Sequence, residues 1–276
     1  FKKVVIADSL APQVDTIFEN YATLNGGVLL LGLIYFSFQI YCDFSGYSDI
    51  AIGTSKLFGF ELRSNFKFPY FSRDIGEFWR RWHISLSTWF RDYLYIPLGG
   101  SNKGKWISIR NIFIIFMVSG FWHGANWTFI VWGLIHAMLY IPLFLRGKNR
   151  QYTSSIVAED NWLPTFKELF QMGNTFFFTM IAWVFFRSES ILDGFLYLNR
   201  LLTNFSIPNV HRYGIVFVII ILISDWAFRN SNNKNVLAIK NKSLGWCLIL
   251  TIYILIIISF VFNAGQNKTE FIYFQF

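Results

Sequence analysis

Charged residues are scarce in this sequence, and their scarcity excludes most soluble folds. Asp, Glu, Lys and Arg make up 14% of the 276 residues, whereas a soluble domain is roughly a quarter charged. Phe, Trp and Tyr, in contrast, account for 21%. This composition is typical of helices that face lipid and of aromatic belts at membrane–water interfaces. The sequence therefore predicts a polytopic membrane protein with an all-α fold.

Cysteine is equally rare, with only Cys42 and Cys247, each within an apolar stretch. Two isolated cysteines do not form a disulfide framework, and no segment has the ligand spacing of H-E-x-x-H or C-x-x-C. We therefore expect no bound metal. The net charge of +8 is explained by cytoplasmic flanks and anionic lipid headgroups. Membrane lipids rather than nucleic acid are the expected partners of the basic residues.

A signal peptide is also missing, because the segment from Phe1 has neither a long apolar core nor a small-residue cleavage site. We expect the chain to come from the middle of a longer protein. The sequence has no internal repeat and no low-complexity tract. Residues 1–276 are therefore expected to belong to a single domain.

Five apolar regions predict transmembrane helices, because a bilayer core of about 30 Å needs about 20 helical residues. Four have the length of single spans: residues 27–53, 172–186, 213–228 and 244–262. The fifth, 111–145, has no charged residue and is too long for one untilted crossing. Its polar, glycine-bearing stretch is 119–126, and irregular backbone at this depth must be buried in protein or line a wet cavity. A hairpin broken at 119–126 is predicted.

The distribution of Lys and Arg also favours the hairpin, because it places most of the cations on one side of the membrane. Residues 54–110 then form a large cytoplasmic loop, rich in Trp and basic side chains. Asp74 and Glu77 predict a helix N-cap and its capping acid. The alternation of aromatic and basic residues predicts interfacial helices over 74–95.

His123 is the first candidate for chemistry, because it lies in the predicted break beside Trp122 and three residues before Asn126. An alcohol is a poor nucleophile, and a positioned neutral histidine can remove its proton as it attacks. Asn126 could orient a substrate or the imidazole. The alternative is that His123 and Asn126 satisfy one another, or a backbone carbonyl, in a helix kink.

His83 follows Arg80 and Arg81 at the boundary between loop and membrane. It could polarise a donor carbonyl or bind an acceptor, or it could be a structural interfacial histidine. The two arginines are placed where an anionic donor would arrive. His136, in mid-helix among aliphatic residues, is predicted to be a packed core histidine.

Asp43 and Asp49 are costly carboxylates close to lipid, and such residues are functional candidates by default. The alternative is that they cap a broken helix or pair with arginines of the large loop, without touching substrate. The arginines considered are Arg63, Arg73 and Arg80.

Four segments together resemble the membrane-bound O-acyltransferase (MBOAT) family, and more closely its alginate O-acetyltransferase branch. They are FKKVVIADSLAPQVDTIF, the run from YCDFSGYSDIAIG to WRRWHISLSTWFRDYLYIPLGG, VSGFWHGANWTFIVWGLIHA and FNAGQNKTEFIYFQF. The resemblance implies a bundle with broken or re-entrant helices and interfacial helices around a central tunnel. It also implies that residues 1–276 are the C-terminal catalytic portion of the domain, without the helices that precede it in the family.

The resemblance further implies that His123 is the catalytic histidine and His83 the second signature histidine. It implies an acyl thioester donor, acetyl-CoA or an acyl carrier, without a tightly bound cofactor. The acceptor would be an exopolysaccharide, or a partner protein that modifies it, outside a bacterial inner membrane. The related D-alanyl transferases leave the acyl group open. The expected substrate-binding residues are Asn126, Trp122, Arg80, Arg81 and Asp43.

Two other functions remain compatible with the residues. A transporter or flippase for lipid-linked sugars also uses broken helices, buried carboxylates and aromatic cavities. A structural subunit of an exopolysaccharide export complex would need neither histidine. A transporter should depend on Asp43 or Asp49, whereas a transferase should depend on His123.

Overall fold

The computed structural model describes residues 1–230 and 250–257, which form helices and loops without a β-strand in either range. The predicted all-α fold is therefore confirmed. The α-helices are α1 Asp8–Glu19, α2 Gly26–Leu57, α3 Ile75–Arg81, α4 Ile84–Phe90, α5 Lys105–His123, α6 Trp127–Leu145, α7 Phe166–Arg187, α8 Ile191–Thr203 and α9 Gly214–Phe228. Four of them, α2, α5, α6 and α7, are long and apolar enough to cross a membrane, and α9 is a shorter apolar helix. The chain is thus a multi-pass membrane protein.

The described residues fall into two compact units, Phe1–Phe60 with the residues from Ser206 onward, and Glu61–Phe205. In the first unit, α1 and a π-helical turn at Lys2–Ala7 pack on α2. α9 also contacts α2, where the Tyr41 hydroxyl donates a hydrogen bond of 2.7 Å to Asp225 Oδ2. Most of α2 is consequently enclosed by protein.

Asp43 and Asp49 lie on α2 and pair with lysines at the start of the chain. Lys3 Nζ lies 2.7 Å from Asp43 Oδ1, and Lys2 Nζ lies 2.9 Å from Asp49 Oδ2. α2 runs through Gly46 without a break, and a Cβ there would lie 2.9 Å from the backbone nitrogen of Lys3. The alternative of a broken helix at Gly46 is wrong, and the partners that the structure shows for both carboxylates are lysines rather than loop arginines, because the glycine admits the N-terminal segment.

The second unit begins with the large loop, which is folded. α3 starts at Asp74, whose Oδ1 accepts a hydrogen bond of 2.7 Å from the Glu77 backbone nitrogen, so the predicted N-cap is confirmed. The helical region predicted over 74–95 is divided into α3, α4 and a π-helical turn at Arg91–Tyr95.

The two halves of this region have different surroundings. Phe78 and Trp82 are 1% and 2% exposed, whereas Trp89 and Tyr93 are 52% and 69% exposed. The first half therefore belongs to the protein core rather than to the headgroup layer. The second half has the exposed aromatic surface expected of an interfacial helix.

α5 and α6 form the predicted hairpin. A Cβ at Gly120 would overlap the carbonyl oxygen of Phe129, and a Cβ at Gly133 would overlap that of Phe116. The two helices therefore run in opposite directions and are in close contact. Small residues at such crossings let helix backbones approach within a membrane.

α7 packs on α6 and carries the predicted span 172–186. It begins at Phe166, directly after the N-cap Thr165, with a capping box in which the side chains of Thr165 and Glu168 each accept a hydrogen bond from the other's backbone nitrogen. The predicted span 213–228 corresponds to α9. Of the predicted span 244–262, only residues 250–257 are described, and they are helical.

Candidate functional site

The break between α5 and α6 is three residues long, and His123 is the last residue of α5. Asn126 caps α6, because its Oδ1 accepts a hydrogen bond of 3.1 Å from the Thr128 backbone nitrogen. Its Nδ2 donates a hydrogen bond of 3.0 Å to the Glu189 carbonyl. A Cβ at Gly124 would lie 2.6 Å from the Phe129 ring. His123 therefore lies at the predicted break, which is fixed by a cap and by close packing.

His123 is partly exposed, and its imidazole is surrounded by aromatic rings. Its centroid lies 5.0 Å from that of Trp122, 5.1 Å from Trp132, 5.0 Å from Phe186 and 6.4 Å from Phe129. Trp132 and Phe186 are buried, whereas Trp122 is 53% exposed. The imidazole thus has an apolar, buried side and an open side next to Trp122.

His83 separates α3 from α4 with a left-handed backbone, φ 43° and ψ 57°. This conformation ends α3 and points α4 in a new direction. Asn65 supplies the cap that His83 does not, because its carbonyl accepts from the Ile84 nitrogen and its Oδ1 accepts from the Ser85 nitrogen. His83 is 8% exposed, and burial lowers the pKa of its imidazole to about 4. His83 is therefore neutral at physiological pH.

The rings of His83 and His123 both lie next to the indole of Trp122. The Trp122 ring lies 6.0 Å from the His83 ring and 5.0 Å from the His123 ring. The structure thus brings together His83, Trp122 and His123, which the sequence separates. All three belong to the second unit.

Arg80 and Arg81 hold the loop that precedes α7. Arg80 donates through Nη1 to the Asn149 carbonyl at 2.7 Å and through Nη2 to the Tyr152 carbonyl at 3.3 Å. Arg81 Nη2 lies 2.7 Å from Oε1 of the buried Glu77. Both guanidinium groups therefore use some of their N–H donors in contacts within the protein.

His136 occupies an aromatic environment in the interior, as predicted for a packed core histidine. Its ring is fully buried and lies 5.0 Å from both Trp79 and Trp132 and 6.1 Å from Phe78, to which it is parallel within 1°. Neither ring nitrogen has a hydrogen-bond partner within residues 1–230. Trp132 therefore contacts both His123 and His136.

Asp43 belongs to the first unit, where it pairs with Lys3. Among the described residues, no three His, Cys, Asp or Glu side chains are close enough together to hold a metal ion. The arrangement around His123 accordingly offers acid–base groups and apolar rings.

Sequence reasoning did not find Phe129, Trp132 and Phe186 as neighbours of His123. Phe129 and Trp132 lie on α6 shortly after the break, so a helical projection from Asn126 could have suggested them. Phe186 lies at the far end of α7, and no local pattern connects it to His123. Only the packing of α7 on α6 reveals it.

The fold and this site define a class of protein, a multi-pass helical membrane protein with one histidine at the turn of a helical hairpin and a second histidine beside that turn. Residues 26–144, which include α2, His83 and His123, match the MBOAT, membrane-bound O-acyltransferase family. The chain belongs to this family, in its alginate O-acetylase-like branch.

Relatives with assigned names support the same placement. The chain is 33% identical to a peptidoglycan O-acetyltransferase of Helicobacter pylori over 100% of its own length and 54% of that protein. It is 36% identical to a probable alginate O-acetylase of Pseudomonas putida over 100% of its length and 59% of that protein. A teichoic acid D-alanyltransferase of Bacillus subtilis is 36% identical over 53% of the chain and 38% of that protein. The chain thus spans little more than half the length of the relatives it matches throughout.

Proposed function

We propose that this chain carries the catalytic site of a membrane O-acyltransferase that transfers an acetyl group from a cytoplasmic thioester to a hydroxyl of an extracellular polysaccharide. The observation that carries the proposal is the position of His123. It ends a membrane helix, is partly open to the surroundings, and shares the Trp122 ring with the neutral imidazole of His83. Both histidines fall within the residues that match the family.

In the proposed reaction, His123 acts as general base. The imidazole takes the proton of the acceptor hydroxyl as the oxygen attacks the thioester carbonyl carbon. The new C–O bond forms, the C–S bond breaks, and the sulfur leaves as a thiol after it receives the proton from His123. The buried rings on one side of His123 exclude water, which strengthens nearby dipoles and limits hydrolysis.

His83 is proposed to support the same step as a hydrogen-bond donor. A neutral imidazole carries one N–H donor and one acceptor nitrogen. Because burial keeps the pKa of His83 near 4, the ring would present that donor to the oxyanion, or to the substrate, without bringing a positive charge. A fixed donor in a dry site costs little reorganisation as charge develops.

The remaining predicted site residues take different proposed roles. Trp122, half exposed beside His123, is placed to contact the acceptor. Asn126 is a positioning residue, because both ends of its amide bond the backbone. Arg80 and Arg81 shape the side on which the donor arrives, through their bonds to the loop that precedes α7. Asp43 supports the first unit through Lys3.

The substrates and surroundings are proposed from the relatives and from the charge distribution. The named relatives act on peptidoglycan, alginate and teichoic acid, which favours an exopolysaccharide, or an extracellular partner protein that modifies it, as acceptor. The donor would be acetyl-CoA or an acyl carrier, used as substrate rather than held as cofactor. The excess of cations in residues 54–110 favours a cytoplasmic position for that loop in a bacterial inner membrane.

The test compares His123→Gln with His211→Gln, a change of the same type at a histidine of the first unit. Cells that produce equal membrane amounts of the full-length protein are labelled with isotopic acetate, and esters on their polysaccharide are measured by mass spectrometry. We expect His123→Gln to lower ester formation by about 10² to 10⁴ and His211→Gln to leave it unchanged. Ester at the wild-type level in His123→Gln would overturn the proposal.

A further inference from the structure

Phe186, near the end of α7, is one of the side chains that close the buried side of His123. Phe186 is 1% exposed. Its ring lies 5.0 Å from His123, 4.9 Å from Phe129, 5.3 Å from Trp132 and 5.2 Å from Trp183. The angle between the plane of the Phe186 ring and that of each neighbour is between 67° and 89°. The ring is therefore fixed among its neighbours in an edge-to-face arrangement that aromatic side chains favour.

This position matters for the acyl group. If His123 is the base, the thioester carbonyl must lie close to it, and the carbon chain beyond the carbonyl needs apolar space on the buried side. Protein interiors are close-packed, so a chain of several carbons can be accommodated only where side chains leave room. Phe186 occupies that space directly against the imidazole.

We propose that Phe186 determines the length of the acyl group, because it fills the apolar space beside His123 that a chain longer than acetyl would need. This inference rests on the proposed acyltransferase function and adds to it a residue that selects the donor. Phe186 lies outside residues 26–144, the part of the chain that matches the family. The contact between Phe186 and His123 therefore joins a residue outside the matched segment to one inside it.

The chain offers a matched control in the preceding residue. Phe185 is also buried, at 3% exposure, but it faces α8, where its ring lies 5.1 Å from that of Phe195. A Cβ at Gly194 would lie 2.8 Å from the Phe185 ring. Phe185→Ala and Phe186→Ala therefore remove the same ring from adjacent positions, and only the second opens space at His123.

The experiment uses membranes that contain the full-length protein, polysaccharide from the same cells, and acetyl-, propionyl-, butyryl- or hexanoyl-coenzyme A as donor. The ester on the polysaccharide is identified by mass spectrometry. The wild type is expected to use acetyl and to transfer hexanoyl at least about tenfold less well. In Phe186→Ala the butyryl-to-acetyl ratio should rise roughly tenfold or more, since one methylene in an apolar pocket changes selectivity by about 10- to 200-fold. Phe185→Ala should keep the wild-type ratio.

Phe186→Leu is included because loss of a buried ring can reduce the amount of folded protein. Phe186→Leu should shift the donor preference toward propionyl. If Phe186→Ala does not accumulate, the result for Phe186→Leu and the wild-type donor series together decide whether Phe186 limits the acyl length. Three results would overturn this inference but leave the proposed function standing. They are equal use of hexanoyl and acetyl by the wild type, an unchanged butyryl-to-acetyl ratio in the Phe186 variants, and a change of that ratio in Phe185→Ala as large as in Phe186→Ala. No ester from any donor in the wild type would overturn the proposed function as well.

Discussion

The ring centroids of His83 and Trp122 lie 6.0 Å apart, which places a histidine of the large loop beside the last turn of α5. His83 reaches this position because its left-handed backbone separates α3 from α4 and turns the imidazole toward the interior. The burial that results keeps the ring neutral. Its contribution to stability should therefore depend on pH.

The first prediction concerns the pH dependence of stability. The pKa of His83 falls from 6.5 in the unfolded chain to about 4 in the folded protein, so the unfolded state binds more protons between these values. Stability from the neutral ring is fully present above pH 6.5 and is lost as the pH falls toward 4. The difference in thermal stability between wild type and His83→Gln should shrink over that range. A constant difference from pH 7 to pH 4 would contradict the assignment.

The second prediction concerns Asn126, which we place in a positioning role. Asn126→Ala should lower stability by about 1 to 2 kcal/mol, because it removes the cap of α6 and the bond to the Glu189 carbonyl. Asn126→Ser should recover the cap and restore part of the loss. Melting temperatures of the purified protein in detergent measure both effects. If Asn126 instead bound substrate, stability would stay constant and the KM for the acceptor would rise.

The third prediction concerns the contact between α5 and α6. Gly120→Ala should destabilise the protein by about 1 to 3 kcal/mol, because the added methyl group overlaps the Phe129 carbonyl and forces the helices apart. Gly173→Ala on α7 is the matched control, since nothing lies within 4 Å of its Cβ position. That change should be neutral or stabilising by up to about 1 kcal/mol, from helix propensity. Equal melting temperatures for the two variants would argue against the close helix crossing.

The fourth prediction separates a structural from a substrate-binding role for Asp43. Asp43→Asn breaks a buried pair, which typically costs about 3 to 5 kcal/mol, and we expect the lower end because Lys3 keeps Asp8 at 2.8 Å. Asp49→Asn should cost less than about 1 kcal/mol, since its carboxylate is 56% exposed. Acyl transfer per folded molecule should remain near the wild-type level in both. A selective loss of turnover in a stable Asp43→Asn protein would instead indicate a direct role of Asp43 in acyl transfer.

The fifth prediction uses His136 as a comparison for His123. His136→Phe should change stability by less than about 1.5 kcal/mol, because the ring is stacked among aromatic side chains and its nitrogens have no partner in the described part of the chain. Acyl transfer should be retained, unlike in His123→Gln. Loss of transfer in a stable His136→Phe protein would show that the buried imidazole acts in the reaction.

Local signals in the sequence were sufficient to predict the long apolar helices α2, α5, α6 and α7 and the break that carries His123. The uncharged run 111–145 exceeds one membrane crossing, and its glycine-bearing centre could be identified as the place where it turns. The N-cap at Asp74 was predictable for the same reason, because capping depends on residues three positions apart. The roles of the site residues stay predictions until the variants above are measured.

The partners of charged and aromatic side chains were not predictable in this way. One alternative for Asp43 was a pair with an arginine of the large loop, yet Lys3 reaches it because Gly46 lets the start of the chain lie against α2. Such pairings depend on which backbones approach most closely. That approach is fixed by packing over many residues and leaves no pattern in a short segment.

The sequence by itself determined that this protein lies in a membrane, which apolar segments are long enough to cross it, and that His123 lies at a break between two of them, because hydrophobic length and glycine-bearing polar stretches are local properties of the chain. Only the tertiary structure decided that His83 shares Trp122 with His123 and that Phe186 closes the space behind the imidazole. Those contacts join residues far apart in the chain, and they exist only once α7 has packed on α6 and the loop has folded against the hairpin.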